Sequence, residues 1–130
     1  MSVKFDKVLL VDDDNINNFL SEEIIAGANI TDEVVLLTDG QQALNYLNNL
    51  ESLENQKSQK LLILLDLNMP VMDGFEFLEE FNPSELKAEF EIIILTSSDN
   101  QRDIEKIKSY KVRNFISKPI TEEKLLEVLQ

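Results

Sequence analysis

Leu61-Leu62-Ile63-Leu64-Leu65-Asp66-Leu67-Asn68-Met69-Pro70-Val71-Met72-Asp73-Gly74 is the stretch from which the rest of the chain is best read. An apolar run that gives way to a proline and an Asp-Gly turn reads as a strand buried on both faces, as strands of parallel sheets are. A carboxylate has no place inside such a strand, so Asp66 is expected at its end. In open parallel sheets ligands bind outside the carboxyl ends of the strands. Asp66 is therefore the first candidate for chemistry.

Working outward, Lys7-Val8-Leu9-Leu10-Val11 reads as a first strand ending in Asp12-Asp13-Asp14-Asn15. Asp14 or Asn15 can cap the helix that follows. Ile16, Phe19, Leu20 and Ile24 recur along it at helical spacing, and Gly27 or Asn29 can close it. Glu33 to Leu37 is a second strand. After the turn Thr38-Asp39-Gly40 comes a helix with Ala43, Leu44, Leu47 and Leu50 on one face. Residues 51–60 are polar without a clear period. Beyond Gly74 a short helix is expected to turn Phe75, Leu78 and Phe81 inward, ending near Asn82-Pro83-Ser84, with a brief turn at Glu85-Leu86-Lys87. Glu91 to Leu95 is a fourth strand leading into Thr96-Ser97-Ser98. Asp99 or Asn100 caps a helix that has Ile104, Ile107 and Tyr110 to bury. Val112 to Ser117 is a fifth strand, ending in Lys118-Pro119. Thr121 caps the last helix, with Ile120 and Leu125 as a staple and Leu126 and Leu129 continuing its face. Strands alternating with helices mean βαβ units and a parallel sheet covered on both faces, a single α/β domain spanning 1–130.

Composition narrows the chemistry. The 130 residues suit one domain with a real core, and 43% are hydrophobic. Asp and Glu number 25 against 12 Lys and Arg, a formal charge of −13, which argues against direct contact with nucleic acid or anionic membranes. There is no cysteine and no histidine, hence no disulfide, no thiol chemistry, no imidazole acid–base and no ordinary zinc site. Any metal must take oxygen ligands, which favours Mg²⁺, Ca²⁺ or Mn²⁺. No apolar run approaches the roughly 20 residues of a membrane span. The N-terminus lacks the apolar core of a signal peptide, so the chain reads as cytoplasmic.

The residues just past the strands are Asp12 and Asp13, Asp66, Thr96 and Ser97, and Lys118. All fall at the carboxyl edge of one sheet and can converge on one crevice. Two unit charges 4 Å apart repel by roughly 1 to 4 kcal/mol, so three clustered carboxylates call for cations. Lys118 supplies one charge and an oxygen-loving divalent ion the rest. A carboxylate beside Mg²⁺, an ammonium and a hydroxyl is equipped for phosphoryl transfer, with the carboxylate as nucleophile.

In these residues the chain resembles the receiver domain of two-component response regulators along essentially its whole length. Four motifs carry the resemblance: Leu10-Val11-Asp12-Asp13, Leu65 to Gly74, Ile94-Leu95-Thr96-Ser97 and Phe115-Ile116-Ser117-Lys118-Pro119. It implies a flavodoxin-like, doubly wound five-stranded parallel sheet of order 2-1-3-4-5 with five surrounding helices. It implies Asp66 as phosphoacceptor from the phosphohistidine of a sensor histidine kinase or histidine phosphotransfer protein. Mg²⁺ would be held by Asp13, Asp66 and the backbone carbonyl of Asn68, and through water by Asp12. Thr96, Ser97 and Lys118 would surround the phosphoryl group, with Phe115 as switch aromatic. Asn68 and Ser98 would tune dephosphorylation, and Lys118-Pro119 is a candidate cis bond. Such a domain is a signalling phosphoacceptor that catalyses its own phosphorylation and dephosphorylation. It reports to a downstream partner through its fourth helix, fifth strand and fifth helix, and can dimerise when phosphorylated.

The sequence departs from the family pattern in places. Lys111 and Val112 stand where Gly and often Ala are usual, Ser97 replaces a common Ala or Gly, and Phe115 lacks the hydroxyl of the more frequent Tyr. Two other readings compete. One is an unphosphorylated interaction module of the same fold, against which the complete acidic set and Lys118 speak. The other is a Mg²⁺ phosphatase of the haloacid-dehalogenase type, which Asp12-x-Asp14 faintly resembles. Asp73 and Gly74 read as turn and helix-start residues rather than ligands.

Overall fold

The computed structural model describes residues 5–51, 59–81, 89–96, 101–110 and 112–129. Five strands, β1 (Lys7–Val11), β2 (Val34–Leu37), β3 (Lys60–Asp66), β4 (Glu89–Thr96) and β5 (Asn114–Ser117), alternate with five helices. These are α1 (Asn15–Ala28), α2 (Gly40–Glu51), α3 (Gly74–Glu80), α4 (Gln101–Ile107) and α5 (Glu122–Leu129). All strand pairings are parallel, in the order β2-β1-β3-β4-β5. The doubly wound α/β expectation holds, and with it the strand order.

β3 lies at the centre, and Leu61 to Asp66 are buried without interruption. Alternate residues feed two separate cores, as the two-residue period of a strand requires. Leu9, Val11, Leu61, Ile63, Leu65, Ile92 and Ile94 face Ala43 and Leu47 of α2, Phe77 of α3 and Ile107 of α4. Val8, Leu10, Leu62, Leu64, Ile93, Leu95 and Ile116 face Ile25 of α1 and Leu125 and Leu129 of α5. Each such side chain withdrawn from water contributes about 1.5 to 3 kcal/mol, so the sheet interior is the rigid platform of the molecule.

Three helical faces differ from the sequence pattern. On α1, Ile16, Phe19 and Leu20 point outward, at 74, 63 and 49% exposure, while Asn18, Ser21 and Ile25 face the sheet. The reason is a hydrogen bond from the Asn18 amide to the Asp12 carbonyl at 2.9 Å, which turns the polar side of the helix inward next to β1. On α3 the buried anchor is Phe77, stacked on Phe81 at 5.4 Å, with Phe75, Leu78 and Phe81 only partly covered. On α5 the buried pair is Leu125 and Leu129, and Leu126 is exposed. On α2, Ala43 and Leu47 are buried and Leu44 partly so; the side chain of Leu50 lies outside the described residues.

The ends follow their expected chemistry. Asp14 caps α1, its carboxylate accepting from the Ile16 and Asn17 amides. Asn29, not Gly27, closes that helix in the left-handed conformation, φ 56°. Asp73 and Glu76 form a capping box on α3, and the Thr121 hydroxyl accepts from Lys124 N–H on α5. β5 starts at Asn114 rather than Val112, β2 at Val34 rather than Glu33, and β4 reaches back to Glu89. The caps Asp99 and Asn100, the turn at 82–87, Lys111, Ser97 and Ser98 lie outside the described residues. No helix among those described is long and apolar enough to cross a membrane.

Candidate functional site

The carboxyl ends of β1, β3, β4 and β5 finish in register. Val11 pairs with Leu65, Asp66 with Leu95, Leu95 with Ile116 and Thr96 with Ser117. Asp12, Asp66, Thr96 and Lys118 therefore stand side by side along one edge. The Lys118 N–H donates to the Thr96 carbonyl at 2.8 Å, which ties the last two strand ends together.

Lys118 carries the site. Its Nζ lies 3.0 Å from Asp12 Oδ2 and 3.3 Å from Asp66 Oδ1, so one ammonium bridges two carboxylates. Both carboxylates are nearly inaccessible, Asp12 at 1% and Asp66 at 3% exposure, and Thr96 is equally buried at 1%. Burial pushes the Asp66 carboxyl from 3.8 up to about 6; Lys118 pulls it down and Asp12 drives it further up. Burial alone would lower the Lys118 ammonium, but hydrogen bonds and charge from Asp12 and Asp66 outweigh it and hold the group above its ordinary value. The pair of carboxylates is thus under-neutralised by its single lysine.

Asp13 supplies a third carboxylate, exposed at the mouth of the crevice. One oxygen from each of Asp12, Asp13 and Asp66 lies within 4.8 Å of the others. An all-oxygen donor set of this charge fits a hard divalent cation such as Mg²⁺ and suits no softer metal. Asn68, exposed two residues beyond Asp66, donates its N–H to Asp66 Oδ1 at 3.4 Å. The Lys118-Pro119 peptide bond is cis. Phe115 is half-buried on the side of the sheet that carries α2, α3 and α4. Asp14 Oδ1 caps α1, and Asp14 does not join the cluster of Asp12, Asp13 and Asp66, which disfavours the Asp12-x-Asp14 phosphatase reading.

Two supporting residues have no sequence signal of their own. Asn18 holds the Asp12 carbonyl, and its Oδ1 is buried with no partner among the described residues. Lys124 donates to the carbonyls of Ser117 and Pro119, both at 3.0 Å, bracing the bend that aims Lys118. Both reach back five to seven residues across a strand–helix turn, farther than a helix cap does.

Residues 8–130 match the family model of the response regulator receiver domain. The probable methanogenesis regulatory protein FilR2 of Methanothrix harundinacea is 30% identical over 123 residues, covering 95% of this chain and 78% of its own. The crystal structure of a two-component response regulator from Cytophaga hutchinsonii is 34% identical, with a TM-score of 0.80 and coverage of 97 and 95%. That of the phosphorylated cyanobacterial phytochrome response regulator RcpA is 32% identical, with a TM-score of 0.74 and coverage of 96 and 89%.

Proposed function

Because the chain belongs to the response regulator receiver domain family of two-component signalling, we propose that Asp66 is its phosphoacceptor. A phosphohistidine of a sensor histidine kinase or histidine phosphotransfer protein is the donor. The observation that supports this most directly is the Lys118 ammonium lodged between Asp12 and Asp66. An Asp66 oxygen attacks phosphorus, the O–P bond forms, the P–N bond breaks, and its electron pair returns to the donor imidazole. Lys118 then exchanges one of its carboxylate partners for a phosphoryl oxygen, and the Thr96 hydroxyl turns toward another.

Asp13, Asp66 and the Asn68 carbonyl would hold Mg²⁺ directly, and Asp12 through water, consistent with the acidic cluster. When bound, the ion neutralises charge on the phosphoryl oxygens. Ser97 takes part in the phosphoryl pocket, while Asn68 and Ser98 tune the lifetime of the product. Phe115 and the surface of α4, β5 and α5 carry the signal to a downstream protein or output domain, or to a second phosphorylated copy. The protein works in the cytoplasm without direct contact to nucleic acid or membrane.

The test is incubation with acetyl phosphate and Mg²⁺ followed by intact-mass measurement. The expected result is one added phosphoryl group on the wild type and none on Asp66→Ala. An unmodified wild type, or equal modification of both proteins, would overturn the reading.

A further inference from the structure

The loop 67–73 joins Asp66 to α3, and its backbone is strained at Val71. Val71 has φ 65°, and the Met72 N–H closes a three-residue γ-turn onto the Pro70 carbonyl at 2.7 Å. A β-branched residue in the left-handed region is strained, and it stays there only when its surroundings leave no alternative. Val71 is 82% exposed, so its own side chain does not hold it.

Two of the chain's three glycines grip this loop from either end. Gly74 donates its N–H to the Leu67 carbonyl at 3.1 Å, and a Cβ there would stand 2.7 Å from the Asp66 carbonyl oxygen. Gly40, from α2, donates to the Met72 carbonyl at 2.9 Å. A Cβ on it would stand 2.8 Å from Met72 Cγ and 2.9 Å from the Met72 carbonyl oxygen. Neither glycine has a positive φ, so closeness of approach, not backbone freedom, is what requires glycine. The Gly40 N–H belongs to the first turn of a helix, where it has no intrahelical partner. Its hydrogen bond to Met72 uses a donor that α2 itself cannot satisfy.

We infer that Gly40 is a positioning residue for the phosphoacceptor site. From a different strand–helix junction it clamps the strained turn at Val71, and so fixes Asn68 relative to Asp66 for the divalent ion. This rests on the Mg²⁺-dependent reading above.

The experiment measures Mg²⁺ affinity by calorimetry on the wild type, Gly40→Ala and Gly27→Ala. A Cβ on Gly27 would meet only the Glu122 carboxylate tip, at 3.1 Å, which makes it the control. Gly40→Ala is expected to weaken Mg²⁺ binding at least tenfold, and Gly27→Ala to leave it unchanged. A purely structural Gly40 would lower the melting temperature without moving the affinity, and that result overturns the inference. Coupling is reciprocal, so bound Mg²⁺ must tighten the clamp. In the wild type, hydrogen exchange of the Gly40 amide should slow at least tenfold on saturation with Mg²⁺. An unchanged rate overturns the inference, and this arm decides if Gly40→Ala does not fold. A wild type that binds no Mg²⁺ removes the functional reading and the clamp together. One that binds it while Gly40→Ala binds equally removes the clamp alone.

Discussion

Replacing Asp66 by asparagine should stabilise the ion-free protein at neutral pH. Asp66 is buried beside a second carboxylate, and its carboxyl is pushed from 3.8 up to about 6. That difference corresponds to roughly 3 kcal/mol between protonation states. The mouth of the crevice is wet, since Asp13 and Asn68 are exposed there, and screening reduces the expected effect to about 1 to 2 kcal/mol. The folded protein binds the extra proton between pH 3.8 and about 6. Its stability therefore falls as pH rises through that window and levels off above it. Asparagine carries no such charge. Urea unfolding in EDTA should find Asp66→Asn more stable than wild type by about 1 to 2 kcal/mol at pH 7.5, or about 3 to 8 °C in melting temperature. Most of the gap should close by pH 4, with m-values unchanged. Saturating Mg²⁺ should narrow or reverse the order at pH 7.5, because binding to the folded wild type alone adds about 2.7 kcal/mol at one hundred times Kd. A variant no more stable than wild type at pH 7.5, or a gap that does not change between pH 4 and 7.5, would refute the reasoning.

Lys118→Met leaves Asp12 and Asp66 buried without their shared cation; a loss of about 3 kcal/mol in urea unfolding is expected at pH 7.5, shrinking as Asp66 takes up its proton toward about pH 6 and below. Phe77→Ala empties the anchor of α3 and should cost about 3 to 5 kcal/mol by the same measurement. Ile16→Ser and Phe19→Ser remove side chains that already face water, so unfolding free energy should stay within about 0.5 kcal/mol of wild type. An exposed apolar group beside the crevice suits a protein donor, so these two variants should slow phosphorylation by a histidine phosphotransfer protein while labelling by acetyl phosphate keeps its rate.

The features legible in the sequence share one property: their signal is local. An apolar run that stops at a polar residue announces both a strand and its functional end, which is how Asp12, Asp66, Thr96 and Lys118 could be placed on one edge. Caps were legible for the same reason, because Asp14 and Asp73 bond amides two or three residues away. The phase of α1 was not. Apolar spacing assigned Ile16, Phe19 and Leu20 to the core, whereas Asn18 faces it through a bond to a strand end six residues back. Phe75, Phe77 and Leu78 crowd the seven-residue α3, with Phe81 at its C-cap, and periodicity cannot choose among them. The braces from Lys124 and Gly40 need the folded chain; Gly40 meets its partner 32 residues on, at Met72.

Among the described residues, several costly features lie at the edge that holds the candidate site. Val71 in the left-handed region, two buried carboxylates sharing one ammonium, and Asn18 Oδ1, which has no partner among the described residues, all lie there. The sheet behind them is the opposite: Leu61 to Leu65 of β3 are fully buried and wholly apolar, and each face has its own continuous cluster. The two facts depend on each other. An under-neutralised carboxylate relaxes by moving toward water unless the strand beneath it cannot follow, and a strand packed on both faces cannot. The burial that makes Asp66 hard to ionise is therefore the same burial that keeps it aimed at Lys118. A bound cation would recover at the edge what the packing imposes there. On this account, loosening the platform beneath Asp66 should weaken ion binding even where no ligand is touched.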